Sequence, residues 1–185
     1  MYNITIPTYT ETERLVLKKF EYEHAPNILK LISTNSDRLK EAGVITDSVL
    51  KILTIEDAEK YIKKMNLGWM LKTIFTFGLW AKENNELIGE YKIFNINKND
   101  KSAETGGFLD INNEGRFYIQ EITPYIDKIL FEIMSFDKMF VSCRKNNIVS
   151  KFGLDRSKYF RKIKEGDSIL VYEMTKENYF NNNKK

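Results

Sequence analysis

The stretch that decides the fold is Asn112-Asn113-Glu114-Gly115-Arg116-Phe117-Tyr118, a polar loop that contains one glycine. It follows Ala103–Ile111, which has the pattern of a strand, and it precedes apolar residues that recur at helical spacing. These apolar positions are Ile119, Ile122, Ile126, Ile129, Leu130 and Ile133. A strand that turns through such a loop into a helix aims backbone N–H groups at one point, which makes a generic anion site.

A second strand and a second helix follow this unit. Met139–Arg144 is an apolar strand, and Asn147-Ile148-Val149-Ser150 has the pattern of a helix start. Strand, loop, helix, strand and helix form a βαβα unit, whose crossover connection is right-handed. The sequence therefore predicts that the two strands run parallel.

The rest of the chain supplies further strands and helices. Thr54 has the pattern of a helix N-cap, with Glu56 and Asp57 placed to complement the helix dipole. Lys176–Lys185 is polar and is predicted to fray. The other predicted elements are a strand Arg14–Phe20, a helix Glu23–Ser33, a short helix around Asp37–Ala42, a hairpin of Phe75–Ala81 with Leu87–Ile96 around Asn84-Asn85, and a last hairpin of Tyr159–Lys164 with Ser168–Thr175.

The length, composition and charge of the chain restrict the classes of function that it can have. The 185 residues predict one domain, and 42% hydrophobic residues predict a globular one. Twenty-nine basic against 26 acidic residues leave a net charge of +3, which argues against nucleic acid or membrane as a partner. Cys143 is the only cysteine, so the sequence predicts a reducing, cytoplasmic location. His24 is the only histidine, so the sequence predicts no metal site and places His24 at the surface.

Four pieces of sequence, in this order, resemble the GNAT acetyltransferases of the RimJ/RimL branch. They are Thr12-Glu13-Arg14-Leu15-Val16-Leu17, Thr54-Ile55-Glu56-Asp57-Ala58, Ala103-Glu104-Thr105-Gly106-Gly107-Phe108-Leu109, and Asn147-x-x-Ser150 with Leu154 and Tyr159. The resemblance implies an α/β (α+β) fold with a central mixed sheet of about seven strands and helices on both faces. It also implies transfer of an acetyl group from acetyl-CoA to a primary amine of a small molecule or of a peptide N-terminus, by a monomer or homodimer.

The same resemblance implies roles for individual residues. Ser150 would hydrogen-bond the thiolate leaving group, and Asn147 would hold the pantetheine; as a pattern, the two also fit an ordinary N-cap and first turn. Glu104 is the first candidate for the base and Glu90 the second, although strand carboxylates are commonly solvent-facing residues. The implied remaining contacts of the cofactor are Phe108, Leu109, Ile111, Gly115, Arg116, Phe117 and Tyr118.

The diphosphate loop departs from the family pattern, which has Arg or Gln, two residues, Gly, one residue, then Gly or Ala. Glu114, Phe117 and Ile119 stand at those positions. A carboxylate beside two phosphates is electrostatically adverse, and phenylalanine replaces the residue that lets the backbone come close. Thr123-Pro124 also fits a helix start, which would leave the loop away from the phosphates. The alternative function is therefore a catalytically degenerate GNAT-fold protein that serves as a ligand-binding or interaction module.

Overall fold

A computed structural model describes residues 5–42 and 47–183 of the chain. Eight strands form a mixed sheet in the order β1-β2-β3-β4-β5-β6-β8-β7, with helices on both faces, which confirms the predicted class of fold. The strands are β1 (Tyr9–Glu11), β2 (Leu15–Lys19), β3 (Phe75–Ala81), β4 (Glu86–Asn97), β5 (Ser102–Leu109), β6 (Lys138–Arg144), β7 (Arg161–Glu165) and β8 (Ile169–Thr175). The strand beyond the predicted seven is β1, which is too short and too polar to show in the sequence pattern.

The six α-helices are α1 (Ala25–Ala42), α2 (Asp47–Leu50), α3 (Ile55–Leu71), α4 (Tyr118–Lys128), α5 (Ile148–Asp155) and α6 (Lys176–Asn183). Helix α1 joins the predicted helix Glu23–Ser33 to the predicted short helix Asp37–Ala42. It continues because Leu39 extends the buried stripe, and the Thr34 hydroxyl donates to the backbone carbonyl of Lys30 (2.8 Å) within the helix. Residues 43–46, between α1 and α2, lie outside the described residues.

The predicted cap of α3 is confirmed. Thr54 Oγ1 accepts the backbone N–H of Asp57 at 3.1 Å, and Asp57 Oδ2 accepts the backbone N–H of Thr54 at 3.0 Å. This reciprocal pair satisfies two donors that a helix start leaves without intrahelical partners. The start of α3 is therefore determined locally, by residues three positions apart.

The described residues divide into two compact units, and the first unit consists of residues 7–93 and 107–122. Its strands β2, β3 and β4 are antiparallel neighbours, and every residue of β3 is buried. The predicted hairpin between β3 and β4 is confirmed, with Asn85 in the left-handed conformation (φ 55°) at the turn. Apolar side chains of α1 and α3, such as Ile32 and Ile62, belong to the core of this unit.

The second unit consists of residues 5–6, 94–106 and 123–183. In it the pairs Ser102–Lys138, Ala103–Met139 and Glu104–Phe140 make β5 and β6 parallel, as predicted. Strand β8 runs antiparallel to β6 along its whole length and pairs with β7, which confirms the last predicted hairpin. The unit therefore contains both strands of the predicted parallel pair.

His24 is buried, so its assignment to the surface is wrong. Its Nδ1 accepts the backbone N–H of Glu21 at 2.9 Å, and its ring lies 4.8 Å from the ring of Trp80. Burial is the main cause that lowers the pKa of His24, and the nearby charge of Lys18 adds to it. A neutral imidazole in this position acts as a core residue and completes the turn before α1.

The polar end that was predicted to fray forms α6 as far as Asn183. The reason is aromatic packing, because the ring of Tyr179 stacks on Phe131 with 5.1 Å between centroids. The Tyr179 hydroxyl also donates to Glu132 Oε1 at 2.7 Å. Two contacts with residues far away in sequence thus order a segment whose own composition favours disorder.

Among the described residues, no helix has the length and apolar character needed to cross a membrane. Over the same part of the chain, no three His, Cys, Asp or Glu side chains lie together as metal ligands would.

Candidate functional site

The loop between β5 and α4 takes a conformation that suits an anion. Gly115 (φ 73°) and Phe117 (φ 62°) are both left-handed, and Arg116 between them is not. Successive residues that alternate in this way direct neighbouring N–H groups to one side and form a concave donor surface. Phe117 stands where the family pattern has glycine, and it adopts the glycine-like conformation with its side chain 70% exposed.

The backbone of this loop has donors to offer. The N–H groups of Gly115, Arg116, Phe117 and Tyr118 make no hydrogen bond to any described residue, whereas the N–H of Glu121 donates to the carbonyl of Phe117 at 3.1 Å. Helix α4 begins at Tyr118, so the alternative start at Thr123-Pro124 is wrong, and Pro124 lies inside the helix. The free donors therefore stand at a helix N-terminus, where the helix dipole also favours an anion.

The charged side chains of the loop are already paired. Glu114 makes an ion pair with Arg38 of α1, and Arg116 lies 3.6 Å from the carboxylate of Glu83. The carboxylate that seemed adverse in the sequence is thus neutralised by a cation from another helix. As a result, the loop fits a diphosphate through its backbone rather than through its own side chains.

The first turn of α4 is fixed by the start of the chain. Glu121 accepts hydrogen bonds from the Thr12 hydroxyl (2.5 Å) and from the backbone N–H (2.9 Å) and Nε (2.7 Å) of Arg14. Arg14 also lies over the ring of Tyr118, 4.5 Å from its centroid. Burial alone would raise the pKa of Glu121, but these hydrogen bonds outweigh it and hold the pKa below its usual value.

The strand residues assigned to the cofactor differ in exposure. Phe108 and Leu109 are buried, while Ile111 is 48% exposed in a 3-10 turn after β5. At Gly107 an added Cβ would lie 2.2 Å from the carbonyl oxygen of Glu90, so the close neighbouring strand excludes any larger residue. Close packing against β4 therefore explains the glycine at this position, and β5 runs through it as one continuous strand.

Asn147 caps α5, since its Oδ1 accepts the backbone N–H of Ser150 at 3.1 Å. Ser150 is half-buried in the first turn, and its hydroxyl makes no hydrogen bond within the described residues. Glu104 on β5 is half-buried and accepts a hydrogen bond from Asn95 Nδ2 at 2.9 Å. The second unit therefore contains Glu104, Asn147 and Ser150, and the first unit contains the loop and the start of α4.

Glu90, the second candidate base, lies in the first unit and is 4% exposed. Its Oε2 accepts the Tyr61 hydroxyl at 2.6 Å, and its Oε1 forms an ion pair with Lys92. Burial and the charge of Glu90 raise the pKa of Tyr61 well above its usual value. Tyr61 also lines an open hollow of about 220 Å³ together with residues such as Lys51 and Lys64.

Sequence reasoning missed several residues that shape the loop. Arg38, Thr12, Arg14 and Glu121 all make the contacts described above, and none was assigned to the site. The only available signal was Thr12-Glu13-Arg14 within the first piece of the resemblance. Spacing along one element cannot reveal such residues, because their partners lie far away in the sequence.

The mixed sheet contains a parallel pair of strands, β5 and β6, and each of them is followed by a helix. The sequence matches the acetyltransferase (GNAT) domain family over residues 14–152. The chain belongs to this family, as the resemblance predicted. GNAT acetyltransferases use acetyl-CoA as the acyl donor. No curated protein matches the sequence significantly.

Solved structures of acetyltransferases share the fold at low sequence identity. A ribosomal-protein-S5-alanine acetyltransferase from Vibrio fischeri has a TM-score of 0.80 at 15% identity, covering 92% of this chain and 98% of that chain. RimL, a ribosomal L7/L12 α-N-protein acetyltransferase in complex with coenzyme A, has a TM-score of 0.73 at 17% identity, covering 92% and 97%. Mycobacterium smegmatis RimJ has a TM-score of 0.76 at 15% identity, covering 88% and 82%. These neighbours are consistent with the RimJ/RimL branch.

Proposed function

We propose that the protein is an acetyl-CoA-dependent N-acyltransferase that acetylates a primary amine of a small molecule or of a peptide or protein N-terminus. The observation that carries this proposal is the set of free backbone donors from Gly115 to Tyr118 at the start of α4. Phe117 is part of this set and holds a left-handed conformation, which is strained by roughly 1–2 kcal/mol for a residue with a side chain.

The donor would be held by residues of both kinds, backbone and side chain. The N–H groups of residues 115–118 would donate hydrogen bonds to the diphosphate, while Phe108, Leu109 and Ile111 would border the pantetheine. Asn147 Oδ1 is taken by the helix cap, so its amide NH₂ is the group that would reach a pantetheine carbonyl.

The chemical step is the attack of a neutral amine on the thioester carbonyl carbon. A C–N bond forms, the tetrahedral oxyanion collapses, and the C–S bond breaks. The amine loses its proton to a base, the Ser150 hydroxyl donates a hydrogen bond to the thiolate, and the proton taken by the base passes through solvent to the sulfur. Coenzyme A is released as the thiol, so the step needs no further reactant.

Glu104 is the better supported base. It is half-buried, and the one hydrogen bond that its carboxylate accepts within the described residues comes from Asn95. Glu90 is buried and uses both carboxylate oxygens, one for Tyr61 and one for Lys92. A base must reach the amine directly or through one water, and this requirement favours the carboxylate with a free oxygen.

The proposal includes the setting in which the enzyme would work. We expect a cytoplasmic protein, monomeric or homodimeric and working as a single domain, with acetyl-CoA and an amine acceptor as its partners and with neither nucleic acid nor membrane among them. The structural neighbours include a ribosomal-protein-S5-alanine acetyltransferase and the microcin C7 self-immunity acetyltransferase MccE in complex with acetyl-CoA and AMP, and these support acetyl transfer as the reaction.

Calorimetric titration with acetyl-CoA tests the proposal. Acetyl-CoA should bind, and acetyl-pantetheine, which lacks the diphosphate, should bind much more weakly. Release of free thiol with a panel of amines and peptides then tests for transfer. Binding without transfer over the panel would favour the ligand-binding module, and absence of binding would favour the interaction module.

A further inference from the structure

The contact between α1 and the loop contradicts the simplest interpretation of Glu114. By sequence, this carboxylate opposes a diphosphate, so removing its charge should tighten donor binding. In the structure, however, both Nη atoms of Arg38 are engaged near the loop. Nη1 pairs with Glu114, and Nη2 donates to the carbonyl of Leu109 at 2.6 Å, at the end of β5.

A second residue of α1, one turn earlier, holds the same segment. The Asn35 side chain is buried, and its Oδ1 accepts the backbone N–H of Ile111 at 3.0 Å. Its Nδ2 donates to Asp110 Oδ2 at 2.8 Å, and Arg38 Nη2 lies 3.3 Å from its Oδ1. Residues 35 and 38 are neighbours on one helix face, so α1 presents a rigid pair of anchors.

The anchors fix the two ends of the 3-10 turn that leads into the donor loop. At its start, burial would raise the pKa of Asp110, but hydrogen bonds from Asn35 and Asn112 outweigh this and hold the pKa below its usual value. At its end, Glu114 is the last residue before the left-handed Gly115. The ion pair with Arg38 ties this end to α1.

We propose that Glu114 anchors the donor loop to α1 through Arg38, so that this ion pair strengthens donor binding rather than opposing it. The inference rests on the proposed function, since the loop must hold a diphosphate. Arg38 and Glu114 act as positioning residues: they hold the N–H groups of residues 115–118 in place before the donor arrives. Preorganised donors bind an anion more tightly because less order has to be imposed on binding.

Glu114→Gln gives the decisive test, because the two explanations predict opposite signs. An anchor predicts that coenzyme A binds roughly three- to tenfold more weakly in calorimetric titration. Simple repulsion predicts tighter binding, and that outcome would overturn the inference. Arg38→Gln should weaken binding at least as much, because it also removes the hydrogen bond to Leu109, and the double variant should be no worse than Arg38→Gln alone, since both variants remove the same ion pair.

Glu83→Gln is the matched control. It removes the same charge from Glu83, the partner of Arg116, whose side chain is 63% exposed. Its affinity for coenzyme A should be unchanged or slightly higher. In activity assays, Glu114→Gln should raise KM for acetyl-CoA and leave kcat nearly unchanged, because the pair does not touch the reacting atoms.

Hydrogen exchange of the unliganded protein tests the anchor without any donor. Amides of residues 111–118 should exchange faster in Glu114→Gln and Arg38→Gln than in wild type or Glu83→Gln. Equal exchange in all four proteins would overturn the anchor even if affinity changed. Failure of wild type to bind coenzyme A, with exchange as expected, would overturn the proposed function and leave the anchor as a purely structural contact.

Discussion

Helices α4 and α5 each follow a strand of the parallel pair, and they begin in different ways. Helix α5 begins with a local cap, in which Asn147 binds the backbone N–H three residues later. Helix α4 has no such cap. Its first turn is held by Thr12 and Arg14, more than 100 residues away in sequence, and its loop is held by α1. A local cap can be recognised in a sequence, and a tertiary one cannot.

Helix α4 also tolerates features that an isolated helix would not. Pro124 lies inside it, although proline removes a backbone hydrogen bond and clashes with the preceding turn. Asp127 is buried, and its Oδ1 has no partner within the described residues. Tertiary packing therefore decides where α4 runs. The following predictions test this difference between the helices, from the largest effect to the smallest.

Asp127→Asn should stabilise the protein at high pH. Burial raises the pKa of Asp127 to about 7, against about 3.9 in an unfolded chain. Between these values the folded carboxyl keeps a proton that the unfolded chain has lost, so the free energy of unfolding falls as pH rises. Asp127→Asn removes this decrease in the free energy of unfolding, which amounts to roughly 4 kcal/mol at pH 8 and much less at pH 5.

Urea unfolding at both pH values measures the effect, with the exposed Asp137→Asn in the same unit as control. Parallel pH profiles for the Asp127 variant and wild type would show that the carboxyl is not held neutral by burial.

Glu121→Ala should destabilise the protein by about 2–3 kcal/mol, because it leaves the donors of Thr12 and Arg14 without an acceptor. Asn147→Ala removes only a local cap and should cost about 1 kcal/mol. Denaturant midpoints of the two variants compare the tertiary start directly with the local one. Equal losses would mean that the long-range contacts add nothing to the start of α4.

The hydrogen bonds of Glu121 also predict a response to acid. Because they hold its pKa below the unfolded value, their stabilisation is present above pH of about 4.3 and is lost as pH falls through the folded pKa. Glu121→Ala should therefore differ least from wild type at the lowest pH at which both remain folded.

Ser150→Ala should lower the rate of acetyl transfer by roughly tenfold or more, which corresponds to about 1.4 kcal/mol in the barrier. The melting temperature should stay nearly the same, because the cap of α5 uses the backbone N–H of Ser150 and not its hydroxyl. Single-turnover rates with a saturating donor check this prediction. An unchanged rate would reduce Ser150 to a residue of the helix start.

Phe117→Gly should stabilise the protein slightly, by up to about 1 kcal/mol, since glycine adopts a φ of 62° without strain. The same substitution at the exposed Phe152, inside α5, should destabilise by about 1 kcal/mol because glycine is a poor helix residue. A higher melting temperature for Phe117→Gly and a lower one for Phe152→Gly would confirm the difference between a loop that needs a left-handed residue and a regular helix. Loss of stability in both variants would count against the strained loop.

Sequence patterns predicted the strands and helix caps that depend on residues close together in the sequence. The hairpin of β3 and β4, the cap at Thr54, the cap at Asn147 and the parallel strands β5 and β6 were all predicted correctly. Each of these signals lies within four residues or within one βαβ unit. The position of the loop after β5 was recognised in the same way, as a polar stretch between two apolar patterns.

Tertiary structure alone decided the character of that loop. Glu114 looked repulsive, but a cation 76 residues away neutralises it. Phe117 looked obstructive, but its side chain turns to solvent and its backbone takes the conformation of glycine. The sequence by itself determined the family and the order of elements, because hydrophobic period and caps are local properties. Only the folded chain determined what the donor loop offers, because charge pairing and backbone angles depend on partners that no local pattern contains.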